Sequence, residues 1–189
     1  SEQSKTFLLK GVTGSGKTEV YLQAIAKIFA KDQGAIVLVP EISLTPQTIA
    51  RFKSRFQEQV AVLHSQLSAG ERFDEWRRLK NGEAKIVIGA RSAIFAPLPD
   101  LGLIIIDEEH ETTYKQDDHP KYHAREVAVY RAQLNQAVTV LGTATPSLEA
   151  YYRTQNEDYQ LLELHNRIDD RPLPQVEVVD MREELNKGN

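Results

Sequence analysis

FLLKGVTGSGKTEVY, residues 7–21, is the stretch on which the reading of this chain turns. Its apolar start reads as a buried strand, about Thr6–Lys10. A glycine-rich turn comes next, and then a helix beginning near Thr18 and running from Glu19 to about Lys31. Gly11, four residues, then Gly16, Lys17 and Thr18 form the phosphate-binding pattern G-x-x-x-x-G-K-[ST] between a strand and a helix. Gly11, Thr13, Gly14, Ser15 and Gly16 are the expected cradle, because backbone amides can turn toward phosphate oxygens where no Cβ intervenes. The helix start adds partial positive charge. Lys17 is expected to reach the β- and γ-phosphates of ATP, and the Thr18 hydroxyl to ligate Mg²⁺.

Outward from this loop, apolar runs alternate with helical patterns. AIVLV at 35–39 is a strand of the kind buried on both faces of a parallel sheet. Thr45 and Pro46 mark the start of a helix carrying Ile49, Phe52 and Phe56. Further strands are expected at 60–63, 85–88, 101–107 and 138–141, with a possible one at 159–164. Helices are expected at 69–79, 124–135 and from Ser147 to about Arg153. Ser68 and Glu71 have capping-box spacing. This alternation predicts an α/β fold with a mostly parallel central sheet, in which ligands lie beyond the carboxyl ends of the strands. Each unusual polar motif directly succeeds a strand, at 11–18, 40–46, 89–92, 107–110 and 142–147, so all five should converge on one edge.

The chain has 189 residues, a net charge of −4 and no cysteine. One domain of 1–164 with a tail of 165–189 fits this length, the tail reading as a linker toward a further region, with one possible strand at 176–181. Disulfides and thiolate metal sites are excluded. No apolar run suits a membrane span, and a soluble intracellular protein is expected. Nucleic-acid contacts would have to come from local patches rather than from overall charge.

Asp107-Glu108-Glu109-His110 ends the most apolar strand. Beside a phosphate-binding loop, Asp107 is expected to hold the Mg²⁺ shell and Glu108 to orient and deprotonate the attacking water. His110 could alternatively ligate zinc, although no second ligand shows suitable spacing.

The loop, the DEEH box and GTATPS at 142–147 together resemble the first motor lobe of superfamily-two helicases of the DExH type. The finer motifs are similar to those of replication-restart helicases: GVTGSGKTEVYL, LVPEISLTPQ, LHS and then ER, GARSAIFAPLPDLGLIIIDEEH, YKQ, YHAR and GTATPSLE, in order from residue 7 to residue 164. The resemblance implies a three-layer P-loop NTPase (RecA-like) lobe. It implies that Pro40, Glu41, Thr45, Gly89, Arg91 and Ser92 hold the tracking DNA strand, that Thr143 and Thr145 couple the ATP site to DNA, and that His110 senses nucleotide state. It also implies that residues 111–125 form an aromatic-rich loop like that of RecQ-type helicases. There Tyr114 and Tyr122 would stack on bases, and Lys115, Lys121, His123 and Arg125 would meet phosphates. Tyr122 could instead only pack beneath the next helix. DNA binding would order this loop and position Glu108, so that replacing Tyr114 or Lys115 lowers DNA-stimulated hydrolysis more than basal hydrolysis.

The activity implied by the resemblance is that of an ATP-driven helicase in the bacterial cytoplasm. It would translocate 3′ to 5′ on single-stranded DNA and unwind stalled forks for replication restart. Expected partners are single-stranded and forked DNA, a second lobe of the same polypeptide, primosome proteins and single-stranded DNA-binding protein. An adenine-reading glutamine motif, the arginine finger of the second lobe and a cysteine-rich zinc region are expected outside these residues, so the lobe alone should bind nucleotide weakly and hydrolyse little. The rival readings are a double-strand translocase and a non-catalytic module whose shape is set by nucleotide.

Overall fold

The computed structural model describes residues 4–168. The strands are β1 (Thr6–Gly11), β2 (Gly34–Leu38), β3 (Val60–Leu63), β4 (Ile86–Gly89), β5 (Leu101–Asp107), β6 (Lys115–Gln116), β7 (Tyr122–His123), β8 (Val138–Thr143) and β9 (Gln160–Leu164). The helices are α1 (Lys17–Phe29), α2 (Pro46–Phe56), α3 (Ala69–Lys80), α4 (Ala124–Asn135) and α5 (Leu148–Gln155). Seven strands form one sheet in the order β3-β4-β2-β5-β8-β1-β9, every recorded pair parallel, while β6 and β7 make a separate antiparallel pair. The expected tail strand at 176–181 lies outside the described residues.

Successive strand residues point to opposite faces, and the sheet divides its core accordingly. Leu8, Ile36, Ile104 and Ile106 pack on the face that receives Ala124, Ala128 and Ala132 of α4 and Ala150 of α5. Leu9, Val37 and Ile105 pack on the other, with Tyr21, Leu22 and Ile25 of α1 and Phe52 and Phe56 of α2. Both faces are covered, which explains why the strands read as unbroken apolar runs. The result is the expected three-layer α/β lobe. The buried stripe of α1 runs through Tyr21, Leu22 and Ile25, and Val20 is exposed.

Local chemistry sets the helix starts. Thr45 Oγ1 accepts from Thr48 N at 3.2 Å with Pro46 in the first helical turn of α2. Ser68 and Glu71 complete a reciprocal capping box on α3, and Ser147 Oγ accepts from Ala150 N on α5. The register aligns the strand ends. Leu38 lies beside Gly89 and Ile106, Leu63 beside Gly89, Asp107 beside Gly142, and Lys10 beside Thr143. The polar segments therefore leave the sheet along one edge, as their positions after strands require.

Candidate nucleotide site and the adjoining strand-end surface

The loop between β1 and α1 turns through Gly16, whose φ of 93° is a left-handed conformation costly for any residue with a Cβ. Lys17 comes next, with its side chain 9% exposed. Its ammonium donates to the Gly11 carbonyl at 2.7 Å and stands 3.6 Å from Glu108 Oε1. The phosphate loop and the acidic strand end are thus directly linked. A cavity of about 760 Å³ joins them, lined by the loop, Thr18, Asp107 and Glu108, and by Arg51 and Arg55 of α2. Thr13 is exposed on its rim and Ser15 is buried, its hydroxyl without a hydrogen-bond partner among the described residues.

Asp107 is half-buried and accepts a hydrogen bond from the Tyr21 hydroxyl at 2.8 Å. Burial raises the Asp107 carboxyl above its ordinary value; the Tyr21 bond opposes this and the neighbouring Glu108 charge adds to it. Tyr21 owes its reach to Gly142, because a Cβ there would lie 1.6 Å from the tyrosine oxygen. Glu108 adopts φ 47°, a strained conformation for a residue with a side chain. This turn returns the chain so that Glu109 N donates to the Gly142 carbonyl at 3.0 Å.

The donor set fits a nucleotide with its magnesium ion. Thr18 offers a hydroxyl and Asp107 a carboxylate beside a positively charged, amide-rich loop. Among the described residues no three His, Cys, Asp or Glu side chains gather into a metal cage. Mg²⁺ suits such a site because it draws ligands from phosphates and water and needs only one or two protein groups. The alternative of zinc at His110 finds no such cage among the described residues.

His110 turns instead to β8. Its Nδ1 lies 2.8 Å from Thr143 Oγ1, and the same oxygen accepts from Thr145 N at 3.0 Å. The acidic strand end and the end of β8 are thereby joined side chain to side chain, and Thr143 holds the following loop through the Thr145 amide.

Burial corrects two expectations for the aromatic-rich loop. Tyr114 does not offer a stacking face: it is 1% exposed, and its hydroxyl donates to the Asp107 carbonyl at 2.7 Å. Arg125 does not meet solvent either. Its guanidinium is paired with the fully buried Glu109 at 2.8 Å and donates to Ser147 Oγ at 2.7 Å. Burial disfavours the Arg125 charge, yet the bond and charge of Glu109 outweigh it and raise its affinity for the proton. Glu109 also accepts from Ser147 N and Oγ, at 2.8 and 2.9 Å.

The other residues named for DNA are distributed along the edge. Pro40 is buried, whereas Glu41, Thr45, Ser92 and Lys115 are exposed, as is Thr145, named for coupling. Arg91 donates to the carbonyls of Thr113 and Lys115, at 3.3 and 2.6 Å, and so ties the aromatic-rich loop to the turn after β4. Tyr122 is half-buried, its ring edge-on to Phe95 with centroids 5.1 Å apart and the Arg91 guanidinium 5.8 Å from its own centroid. Sequence reasoning passed over Tyr21, Glu109, Arg51, Arg55 and Phe95. The available signal for Tyr21 was its place four residues after Lys17, on the same helix face.

A model of the DEAD/DEAH box helicase family matches residues 2–154 of the chain that carries this geometry. Replication restart protein PriA of Bacillus subtilis is 60% identical over the whole chain, which covers 24% of that protein. Its namesake in Synechocystis is 57% identical over 96% of the chain and 22% of its own length. The chain thus spans about a quarter of the relatives it matches. Among solved structures, RecG bound to a three-way DNA junction aligns with TM-score 0.64 and 24% identity, over 91% of this chain and 22% of that one. The Pyrococcus furiosus Hef helicase domain aligns with TM-score 0.62 and 22% identity, over 89% and 36%. These two likenesses establish the shared lobe fold. With its model matching residues 2–154, the DEAD/DEAH box helicase family is the one to which this chain belongs.

Proposed function

We propose that this chain is the ATP-binding lobe of a DNA helicase that couples ATP hydrolysis to 3′–5′ movement on single-stranded DNA and to unwinding at stalled forks, in support of replication restart. The observation that carries the reading is the link between Lys17 and Glu108 at 3.6 Å, extended by the His110–Thr143 contact at 2.8 Å. Phosphate binding, the acid and the strand-end loops thus form one connected unit.

Lys17 exchanges its internal partners for phosphate oxygens, with loop amides completing the cradle. Thr18 and Asp107 would hold Mg²⁺, which when bound would supply positive charge beside the phosphates. Glu108 orients the attacking water and takes its proton. His110 transmits the state of this acid to Thr143 and the loop beyond it. Glu41, Thr45, Arg91 and Ser92, above the buried Pro40, lie toward the DNA strand, with backbone amides, hydroxyls and one guanidinium as phosphate contacts, and Thr145 with Thr143 couples the ATP site to them. The remaining catalytic charge comes from a second lobe of the same polypeptide. The relatives named as replication restart proteins support the cellular role; a bacterial cytoplasmic setting and partnership with primosome proteins and single-stranded DNA-binding protein extend the same proposal.

The test is hydrolysis by the intact protein on matched single-stranded and duplex DNA, with displacement of strands bearing 3′ or 5′ tails. Stronger stimulation by single strands and one-way displacement are expected. Lys17→Ala and Glu108→Gln should each lower turnover by about 10²–10⁴-fold. Stronger stimulation by duplex would favour a double-strand translocase. Restart activity surviving without hydrolysis would favour a non-catalytic module.

A further inference from the structure

A second cavity lies on the same edge of the sheet, apart from the nucleotide site. Its volume is about 550 Å³, within the range of roughly 300–1,000 Å³ usual for small-molecule sites. It opens beyond the ends of β3 and β4, and its walls include His64, Arg72, Trp76, Arg91, Ser92 and Phe95. Two large aromatic rings are exposed here rather than packed away: Trp76 is 40% exposed and Phe95 55%.

These rings come from different elements and each is braced. Phe95 lies in the short helical turn after β4 and rests against Tyr122, which carries the Arg91 guanidinium near its ring. Trp76 stands on α3, one helical turn after Arg72, with the Lys80 ammonium 5.4 Å from its ring centroid. Lys80 thus stands over the Trp76 ring, and Arg72 and Arg91 line the cavity between the two rings. Glu41 is the one carboxylate among the described residues lining this cavity, and it already accepts from the Ser65 hydroxyl.

Exposed aromatic faces bordered by arginine and lysine are the arrangement that grips single-stranded nucleic acid, with bases on rings and phosphates on cations. We propose that the cavity bounded by Trp76 and Phe95 accepts an unstacked base of the DNA strand, while Arg72 and Arg91 hold the flanking phosphates. The loop's expected stacking residue, Tyr114, is buried, and Phe95 takes that place on the surface. The site would grip the strand through its bases in addition to the backbone contacts of the neighbouring loops. It rests on the reading of this edge as the track for single-stranded DNA.

The test uses the intact protein and a fluorescein-labelled oligo-dT, compared with an oligonucleotide of equal length built from abasic residues. Trp76→Ala and Phe95→Ala should each weaken oligo-dT binding by about 5- to 100-fold and leave abasic-strand binding unchanged. Trp76→Phe should restore most of the loss, and nucleotide affinity should be unaltered in all three. In the unsubstituted protein, an oligonucleotide carrying 5-iodouracil should photocrosslink to Trp76 or Phe95, a readout that does not depend on the variants folding. Unchanged oligo-dT binding by both alanine variants, equal losses on the two strands, or absence of a crosslink at either ring overturns the proposal. If unsubstituted protein is stimulated by single-stranded DNA and still gives one of these results, the base site alone fails. If it is neither bound nor stimulated by single-stranded DNA, the helicase reading fails with it.

Discussion

Tyr114 donates its hydroxyl hydrogen to the carbonyl of Asp107 at 2.7 Å, so the aromatic-rich loop is fastened to the backbone of the acidic strand end. Burial, and after it the charges of Asp107 and Glu108, pushes the Tyr114 phenol far above its ordinary value and keeps it a donor. This position changes what a substitution does. Tyr114→Phe removes one hydrogen bond and should cost about 0.5–1.5 kcal/mol. Tyr114→Ala also leaves a cavity and should cost about 3–5 kcal/mol. Basal and DNA-stimulated hydrolysis should fall together for both. Lys115→Ala, at an exposed position, should reduce only the stimulated rate. Urea midpoints and hydrolysis with and without oligo-dT check this, and a selective loss of stimulation in Tyr114→Ala that Tyr114→Phe does not share would restore a direct DNA role for the ring.

Glu109 and Arg125 form a pair whose side chains are 0% and 8% exposed. A buried pair is a poor measure of net stability, because desolvation offsets attraction, but removing one partner strands the other. Arg125→Met should therefore cost about 3–5 kcal/mol, and the double variant Glu109→Gln, Arg125→Met should recover much of that loss. The salt dependence of DNA binding should stay the same, because this guanidinium does not reach the surface. A shallower salt slope in the folded double variant, which lacks the guanidinium charge, would contradict the structural assignment.

The strands and the convergence of their ends were legible because apolar runs, turn residues and caps act locally. The phosphate loop was legible for the same reason: its glycines, lysine and threonine lie within one short stretch. What escaped depended on long-range pairing. Glu109 looks like one more acid in DEEH until the start of α5 brings Ser147 and α4 brings Arg125 around it. Tyr114 and Arg125 have the composition of a nucleic-acid loop, yet their contacts with Asp107 and Glu109 take them inside. Phe95 reads as an ordinary apolar residue in RSAIF, and only burial of its neighbours Ala93 and Ile94 shows that it faces out.

His110 and Thr143 should behave as a coupled pair. Each alanine variant removes the same 2.8 Å contact between the acidic strand end and the end of β8. Both should lower the ratio of DNA-stimulated to basal hydrolysis, and the double variant should be little worse than either single one. The expected coupling energy is about 0.5–3 kcal/mol. Strictly additive effects on that ratio would show that the contact does not carry the signal.

Asp107 gives a test in which stability and activity part company. Burial is the largest influence on its carboxyl and raises its proton affinity; the Tyr21 hydrogen bond opposes the shift without reversing it. The carboxyl therefore titrates at higher pH in the folded chain than in the unfolded one. Between those two pH values the folded chain binds more protons, so stability from this group is complete below the unfolded value and is lost as pH rises through the folded one. At neutral pH the carboxylate opposes folding. Asp107→Asn keeps an oxygen able to accept from Tyr21 and removes the buried charge. The nucleotide-free variant should melt at a higher temperature than the parent at neutral pH, the difference should narrow as the solution is acidified toward the ordinary carboxylate range, and hydrolysis should be lost. An equal or lower melting temperature at neutral pH would mean that the ionised carboxylate, held by Tyr21, stabilises the fold.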